Sequence, residues 1–399
     1  MQKEYLLDMN EQKKVALLLP WLKMGGTNKI ALHFMKELSQ YCDVTLILSQ
    51  NTGELLEQLP ENIHLVIDEM RPFKEIFKED LRKLRIGKLA QDVVYYGRIK
   101  AKKDSVDNYR YLVQRHGYIC DTEFDCAITY HGQSPERLLN LLYRTHAKKK
   151  VAWIHGEFNN SLDHYHRMNT YYAQMDHMFF VSNHTLNSFL NKFTVERSKY
   201  TVYYNPIDKQ EILDKAKLPC AVAFDPDYIN LVTVGRVSAE KGQDMIPAVT
   251  RRLIDAGHKV RWYIIGDGDT RTKVEQLIRE QNVNEHVIML GTQTNPYPFI
   301  ANGDIYVQPS YTEGYSTTIC EAGMLGKAIV GTKPSGGIFD QITHGEDGLI
   351  VDATIDGLTG GILSLIENET LCRRFETEIQ KKNFEGKGEI EKFLAFLTT

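Results

Sequence analysis

The stretch PSYTEGYSTTICEAG, residues 309–323, places two glutamates, Glu313 and Glu321, with seven residues between them. It follows the apolar run DIYVQP, which is typical of a short buried strand. A turn is predicted around Glu313, and a helix is predicted to begin after Ser316, whose side chain is a suitable N-cap. The stretch therefore predicts a strand, a turn and a helix, with one carboxylate ahead of the helix and one on its second turn.

The same alternation of short apolar runs and amphipathic segments extends along the whole chain. The predicted strands are VALLLP (15–20), DVTLILS (43–49), IHLVI (63–67), FDCAITY (124–130), KVAWIH (150–155), HMFFVS (177–182), YTVYY (200–204), INLVTVG (229–235), VRWYIIG (260–266), HVIMLG (286–291), DIYVQP (304–309), AIVGT (328–332) and GLIV (348–351). Strands that alternate with helices indicate parallel sheets covered by helices. The series runs through two cycles, so we predict an α/β protein with two doubly wound, Rossmann-like domains facing each other across a cleft.

The turn NPID marks the end of the first cycle. We therefore predict an N-terminal domain over residues 1–207 and a C-terminal domain over residues 208–385. The last segment, residues 386–399, is predicted to form a helix that packs back on the first domain.

The composition is that of an ordinary soluble protein. The chain has 399 residues, 42% hydrophobic and 25% charged, and its net charge of −4 argues against nucleic acid as a partner. The six cysteines form no CxxC pair and no zinc spacing, which fits a reducing cytosol. The early run VALLLPWL is too short for a membrane span, and we interpret it as the first strand rather than a signal peptide.

Residues 71–118 differ in composition from the rest of the chain. They contain thirteen Lys or Arg and six Asp or Glu, a local net charge of +7. Phe73, Ile76, Phe77 and Leu81 recur at helical spacing among these charges, and Leu84 continues the series. A basic amphipathic helix of this kind binds anionic membrane surfaces. The alternative is a helical excursion with a solvated basic face.

Two cations follow the strand INLVTVG, in the segment GRVSAEKG (235–242). Ligands of open parallel sheets bind at the carboxyl ends of the strands. Arg236 and Lys241 are predicted to lie there, just before a helix, where fixed cations and helix N–H groups suit a diphosphate. Alternatively, both are surface charges.

The segment GDGD (266–269) follows VRWYIIG and contains an Asp-x-Asp pattern, a weak metal signal. Asp267 and Asp269 more simply shape a turn and cap the next helix. At the helix of the opening stretch, we expect the backbone N–H groups from Tyr315 to Thr318 to be free to bind an anion. The two glutamates would then hold hydroxyls at two places on one ligand. The alternative is that they are a turn acid and a surface or capping acid.

The pattern E-x7-E, with EGYS and CEAG, resembles the signature of glycosyltransferase family 4, whose members have the GT-B fold, use nucleotide sugars and retain anomeric configuration. GRVSAEKG and the strand–GDG turn are similar to other marks of this family, in the same order. The likeness covers the C-terminal half well and extends into the first half through MGGTNKIALHFMKEL (24–38), WIHGE (153–157), FVSN (180–183) and NPID (205–208). Two stretches depart from the family: GGTNK (25–29) lacks the usual Glu-Arg, which leaves acceptor contacts open, and SGGIFDQI (335–342) lacks Pro-Glu.

The resemblance implies a role for each matching residue. Arg236 and Lys241 would bind the donor diphosphate, Glu321 the ribose, and Glu313 the sugar ring. His155 would lie near the reacting carbon and count with Glu313, Arg236 and Lys241 as catalytic. The remaining donor-site residues would be Gly25 and Gly26 in a closing loop, Gly266 in the GDG turn, Thr292 and Gln293 at the nucleobase, and Gly314, Tyr315, Ser316 and Thr317 along the sugar. No cofactor and no metal ion would be needed, since cations and helix N–H groups stabilise the leaving diphosphate.

The implied function is a retaining transfer of a hexose or N-acetylhexosamine, from a UDP-sugar, to a lipid-linked surface glycan of the capsule, exopolysaccharide, lipopolysaccharide or teichoic-acid type. Such an enzyme would act in the cytoplasm, with peripheral contact to the inner face of the membrane through residues 71–118. Two alternatives stay open: a soluble GT-B synthase or epimerase, and an inactive partner subunit of another transferase. A dehydrogenase is disfavoured because no G-x-G-x-x-G follows a strand. The sugar, the nucleobase, the acceptor, the linkage and the oligomeric state are left open.

Overall fold

A computed structural model describes residues 12–100, 106–158, 165–333, 336–386 and 388–399 of the chain. These residues form two compact units, each built on a fully parallel sheet. The first unit is drawn from the chain up to Val181, Leu186–Tyr204 and Gly388–Thr399, and the second from Ser182–Thr185 and Asn205–Lys387. This arrangement confirms the predicted class of two Rossmann-like α/β domains.

The first unit contains a seven-stranded sheet in the order β3-β2-β1-β4-β5-β6-β7. Its strands are β1 Lys14–Leu19, β2 Asp43–Leu48, β3 His64–Ile67, β4 Glu123–Thr129, β5 His146–Ile154, β6 His177–Phe180 and β7 Tyr200–Val202. Its helices are α1 Gly26–Leu38, α2 Phe73–Arg82, α3 Ile86–Lys100, α4 Val106–His116, α5 Pro135–Arg144, α6 Tyr165–Tyr172 and α7 Asn183–Leu190, the first turn of α7 being counted with the second unit. The strands β1, β2 and β4 are buried over most of their length because helices cover both faces of the sheet.

The second unit contains a six-stranded sheet in the order β10-β9-β8-β11-β12-β13. Its strands are β8 Ile229–Val234, β9 Val260–Ile265, β10 Val287–Gly291, β11 Ile305–Gln308, β12 Ala328–Lys333 and β13 Leu349–Asp352. Its helices are α8 Lys209–Ala216, α9 Ile246–Asp255, α10 Arg271–Glu280, α11 Tyr297–Asn302, α12 Thr317–Met324, α13 Ile338–Gln341, α14 Ile355–Ile366 and α15 Glu369–Ile379. The strand order reverses between β8 and β11, and ligands bind at such switch points.

The last helix, α16 (Glu389–Thr398), belongs to the first unit. The ring of Phe393 packs edge-on against Phe34 of α1, with ring centroids 5.3 Å apart. Lys149 of β5 donates from Nζ to the carbonyl oxygen of Phe396 at 2.7 Å. Residues 388–399 therefore pack on the first unit.

The described residues of the basic segment form three helices, α2, α3 and α4, rather than one long helix. They are joined by a buried ion cluster in which the guanidinium of Arg115 contacts the carboxylates of Asp80 and Asp92. The apolar series does not remain helical to its end, because α2 stops at Arg82 and Leu84 has a left-handed backbone with φ +49°. In the part of the chain that the structure describes, no helix is both long and apolar enough to cross a bilayer.

Candidate active site

The central contact of the candidate site joins the loops that follow β8 and β11. Gly242 has φ +67°, and a Cβ atom there would lie 2.0 Å from the carbonyl oxygen of Pro309. Only glycine permits this approach. It brings Lys241 to Glu313, with Nζ 2.5 Å from Oε1. The predicted diphosphate-binding cation and the predicted sugar-binding carboxylate therefore form one ion pair.

Glu313 is held by more than this ion pair. Its Oε1 atom also accepts hydrogen bonds from Gln308 Nε2 at 3.0 Å and from Ser310 Oγ at 2.9 Å. The Glu313 side chain is 10% exposed and that of Lys241 is 24% exposed. Three donors on one oxygen fix the orientation of the carboxylate.

Gln308, at the end of β11, is the hub of a buried hydrogen-bond network. Its Oε1 accepts from the Tyr306 hydroxyl at 2.7 Å and from Thr318 Oγ1 at 3.1 Å. Its Nε2 donates to Ser310 Oγ at 2.8 Å as well as to Glu313. An amide has two donors and two acceptor sites, so Gln308 uses all four. Sequence reasoning missed this residue, although a glutamine within an apolar strand was a signal.

The helix after Glu313 starts as predicted. Ser316 is the N-cap of α12, and its Oγ accepts from the backbone N–H of Ile319 at 3.4 Å. The expectation that the Ser316 N–H is free is wrong, because it donates to Gln341 Oε1 at 3.1 Å. Nearby, Ser182 donates from Oγ to the carbonyl oxygen of Gly314 at 2.8 Å. Tyr315 and Thr317 are half-buried on either side of the N-cap.

Glu321 lies on the second turn of α12 and is 7% exposed, so it is not a surface acid. The hydroxyl of Tyr297, in α11, donates to its Oε1 at 3.4 Å. Burial, and then the charge of Glu321, raise the pKa of Tyr297 above its usual range. Tyr297 is therefore a neutral donor to this carboxylate, and it too was missed from the sequence.

Arg236 follows Gly235 at the end of β8 and has an exposed side chain. The turn after β9 comes close to it: Gly266 has φ +143°, and a Cβ there would lie 1.9 Å from the carbonyl oxygen of Gly235. The backbones of the loops after β8 and β9 therefore touch at this point. The side chain of Arg236 is left directed to solvent at their junction.

Asp267 shapes the turn after β9, where its Oδ1 accepts from the N–H of Gly268 at 2.8 Å. The expectation that Asp267 or Asp269 caps α10 is wrong, because the N-cap is Thr270 and has no capping side-chain bond. Asp267 instead contacts Arg271 within the helix at 3.3 Å. Among the described residues, no group of three or more His, Cys, Asp or Glu side chains is placed to hold a metal ion.

The predicted nucleobase residues lie after β10, at the edge of the sheet. Thr292 is exposed. Gln293 is half-buried, and its Nε2 donates to the carbonyl oxygen of Leu290 at 2.9 Å. Both residues therefore lie, like Gly266, just beyond the carboxyl ends of β9 and β10. Neither contacts the residues around Glu313.

Three predicted residues lie in the first unit. Gly25 is the N-cap of α1 and Gly26 its first residue, with no acidic side chain in the first turn.

His155 follows β5, and its Nε2 is buried without a described hydrogen-bond partner. Burial, and then the neighbouring His131, lower the pKa of His155 well below its usual range, so its imidazole is neutral. A neutral imidazole can accept a proton or a hydrogen bond from a hydroxyl.

The comparisons with known proteins agree with this architecture. Residues 214–382 match the family model described as glycosyl transferases group 1. Over its whole length, the chain resembles the GT-B structure of Anabaena HepE in complex with UDP and glucose, with a TM-score of 0.72, 16% identity and coverage of 97% of this chain and 100% of that one. The fold is therefore GT-B, and the family match in the second unit supports glycosyltransferase activity.

Two curated relatives add to this. A Campylobacter jejuni protein, named N-acetylgalactosamine-N,N'-diacetylbacillosaminyl-diphospho-undecaprenol 4-alpha-N-acetylgalactosaminyltransferase, is 21% identical over 375 residues, which is 93% of this chain and 94% of that protein. The capsular polysaccharide biosynthesis glycosyltransferase CapM of Staphylococcus aureus is 28% identical over 142 residues, or 35% of this chain and 37% of CapM. Both relatives are named as glycosyltransferases, and the name of CapM places it in capsular polysaccharide biosynthesis.

Proposed function

We propose that this protein is a retaining glycosyltransferase that moves a hexose or N-acetylhexosamine from a UDP-sugar to a lipid-linked surface glycan. The observation that carries the proposal is the site between β8 and β11, where Lys241, Glu313 and the N-terminus of α12 meet. A cation, a fixed carboxylate and a helix N-terminus at a switch point suit a ligand with a diphosphate next to a polyhydroxylated ring.

The chemistry follows from these charges. Cleavage of a glycosyl–phosphate bond leaves negative charge on the diphosphate and positive charge on the sugar. Lys241 and Arg236 would stabilise the first, and the carboxylate of Glu313, which is held next to Lys241, would bind the sugar hydroxyls. Fixed charges of this kind need no reorganisation during the reaction. We therefore propose that the reaction proceeds without a divalent metal ion.

The nucleotide would occupy the edge of the sheet. Glu321, supported by Tyr297, would accept hydrogen bonds from the two ribose hydroxyls. Thr292 and Gln293 would border the base. UDP is favoured as the nucleotide because Anabaena HepE, which shares the fold, was crystallised with UDP and glucose.

The acceptor is proposed from the relatives. The Campylobacter jejuni protein carries a diphospho-undecaprenol acceptor in its name, and CapM a capsular polysaccharide. A lipid-linked acceptor, together with a nucleotide-sugar donor, would place the reaction at the cytoplasmic face of the membrane. The basic segment has the composition for such contact: around the end of α2 the exposed apolar side chains of Leu81, Leu84 and Ile86 stand next to Arg82 and Lys88.

Donor hydrolysis tests the proposal directly. The purified protein is incubated with UDP-, GDP-, ADP- and dTDP-sugars in the presence of EDTA, and released nucleotide is measured. We expect slow release of UDP from one sugar, reduced about 100-fold in Lys241→Ala. Binding of UDP without turnover would indicate that the acceptor is required. Absence of both binding and turnover across the panel would contradict the proposal and favour an inactive partner subunit.

A further inference from the structure

One arginine in the first unit carries a charge that no described carboxylate neutralises. Arg137 lies in α5 and is half-buried, and its Nη1 donates to Ser49 Oγ at 2.6 Å. Two carboxylates are near enough to influence it, Asp68 and Glu136. Asp68 is already engaged by both terminal nitrogens of Arg144, at 2.6 and 2.7 Å, and Glu136 is exposed. Within the described residues, Arg137 therefore makes no ion pair.

The position of Arg137 in its helix adds to this imbalance. α5 begins at Pro135 after the N-cap Ser134, so Arg137 is its third residue. The N-terminal turn of a helix carries partial positive charge, which disfavours a cation there. Burial lowers the pKa of Arg137, as expected for a charge removed from water without a partner. A half-buried cation at this end of a helix is costly for the fold, so a ligand is the simplest reason for it.

The surroundings of Arg137 lie at the switch point of the first sheet. The strand order reverses between β1 and β4. The bond from Arg137 to Ser49 crosses this point, because Ser49 follows β2 and α5 follows β4. Ligands of open parallel sheets bind in the crevice outside such a point.

Two neutral histidines border the same place. His131 follows β4, and burial together with the charge of Arg137 lowers its pKa to about 4. The rings of His131 and His155 are 6.4 Å apart, and the loops that carry them are joined by Gln133, whose Nε2 donates to the carbonyl oxygens of Gly156 and Glu157. Nδ1 of His131 and Nε2 of His155 are buried without described partners. These groups offer further polar contacts beside the single cation.

From this geometry we infer that Arg137, Ser49 and His131 form an anion site at the carboxyl edge of the first sheet, and that it binds the diphosphate group of the acceptor. The identification of the ligand as the acceptor rests on the proposed function. The anion site itself rests on the charge of Arg137. A guanidinium binds phosphate oxygens in pairs, so the match is chemical as well as electrostatic. It uses no residue of the second unit, to which Arg236, Lys241, Glu313 and Glu321 belong.

Calorimetric titration with inorganic pyrophosphate tests the site. The titrated protein carries Arg236→Ala and Lys241→Ala, which remove the diphosphate cations of the second unit. We expect this protein to keep one pyrophosphate site, and Arg137→Gln added to it to weaken binding at least tenfold. Arg197→Gln, an exposed arginine of the same unit, is the matched control and is expected to leave binding unchanged. Equal binding with and without Arg137→Gln, or no binding by the double variant, would overturn the inference.

A second titration with farnesyl diphosphate identifies the source of the anion. Tighter binding than pyrophosphate, with the same loss in Arg137→Gln, would support a lipid diphosphate acceptor. Weaker binding than pyrophosphate would overturn the acceptor assignment. Neither titration uses a sugar donor, so a failure of donor hydrolysis in the wild-type protein would count against the proposed function and not against this site. Unchanged thermal unfolding of Arg137→Gln would exclude a structural cause.

Discussion

Lys241 and Glu313, seventy-two residues apart in the chain, form an ion pair of 2.5 Å between Nζ and Oε1. The two residues come from loops that follow neighbouring strands, β8 and β11. This ion pair also affects the proposed binding of the donor. The carboxylate holds the ammonium group in place, so less side-chain entropy would be lost on binding the diphosphate of the proposed donor.

Removing Lys241 or Arg236 should lower the rate of glycosyl transfer more than it lowers the stability of the fold. We expect Lys241→Ala and Arg236→Ala each to lower kcat/KM by about 100-fold, the usual loss for one preorganised charge-stabilising donor. Lys273→Ala is the matched control, because Lys273 pairs with Asp244 in an exposed position. The measurement is the initial rate of transfer by each variant, with the donor that the hydrolysis panel identifies. Wild-type rates in both variants would rule out a diphosphate role for these cations.

Gln308 is predicted to act by positioning Glu313. Gln308→Leu leaves the Tyr306 hydroxyl, Thr318 and Glu313 with one hydrogen bond fewer each. We expect the free energy of unfolding to fall by about 1–3 kcal/mol, and kcat to fall more than donor affinity. Urea unfolding and steady-state kinetics measure the two effects.

The surface substitution Gln276→Leu is the control for Gln308, since the side chain of Gln276 is exposed and bonds to Glu280 one turn along the same helix. It should change neither quantity. A Gln308→Leu protein that is less stable but has normal kcat would show that the network supports the fold only.

Nucleotide affinity should depend on Glu321. The ribose hydroxyls would donate to a charged acceptor, and hydrogen bonds to charged groups contribute about 1.5–3 kcal/mol. Glu321→Gln is therefore expected to weaken UDP binding at least about tenfold. Tyr297→Phe removes a 3.4 Å bond to the same carboxylate and should have a smaller effect. Calorimetry with UDP distinguishes them, and unchanged affinity in Glu321→Gln would remove the ribose role.

Stability of the first unit should fall in mild acid because of His177. Burial lowers its pKa to about 4, with its ring against Phe179 and Phe396. An unfolded histidine has a pKa of about 6.5. Between these values the unfolded chain binds a proton that the folded protein does not, so stability is full above pH 6.5 and is lost as the pH falls toward 4.

From pH 7 to pH 5 this loss amounts to about 1–2 kcal/mol for one such group. His177→Gln should remove that part of the pH dependence. Urea unfolding of the wild type and the variant at both pH values measures it. If both proteins lose the same stability between pH 7 and pH 5, His177 does not titrate in this way.

The strands were predictable because strands buried on both faces are continuous apolar runs. The polar loops at their ends were predictable for the same reason, since Arg236, Lys241 and Glu313 interrupt the pattern just where a strand ends. The Ser316 cap also follows from local sequence, and the structure confirms it.

The sequence did not predict which residues these side chains and backbone groups contact. The N–H of Ser316 is bound by Gln341, which is 25 residues away, and Glu313 is bound by Lys241, which is 72 residues away. Such pairs depend on how loops from different strands meet. The uncompensated charge of Arg137 was equally hidden, because it depends on Asp68 being engaged by Arg144. Hydrophobic periodicity predicts neither these contacts nor the lack of an ion pair at Arg137 among the described residues.

The last prediction concerns the surface at the end of α2, formed by Leu81, Arg82, Leu84, Ile86 and Lys88. Leu84 and Ile86 are 77% and 76% exposed. Lys83 and Arg85 are paired with Glu79 and Asp80, so their charges are partly neutralised. Arg82 and Lys88 make no ion pair with a described residue, and they are the cations left for anionic lipid.

Arg82→Glu with Lys88→Glu should weaken binding to phosphatidylcholine–phosphatidylglycerol vesicles at least about tenfold, since each basic side chain near an anionic surface contributes about 1 kcal/mol. Leu84→Asn should weaken it further without straining the left-handed backbone, which asparagine tolerates. The control with the same change of charge is Lys36→Glu with Lys259→Glu, two exposed lysines outside the segment. Sedimentation with vesicles at low and high salt measures binding. If the two charge-reversed proteins bind equally, the segment is a solvated basic excursion and the membrane contact lies elsewhere.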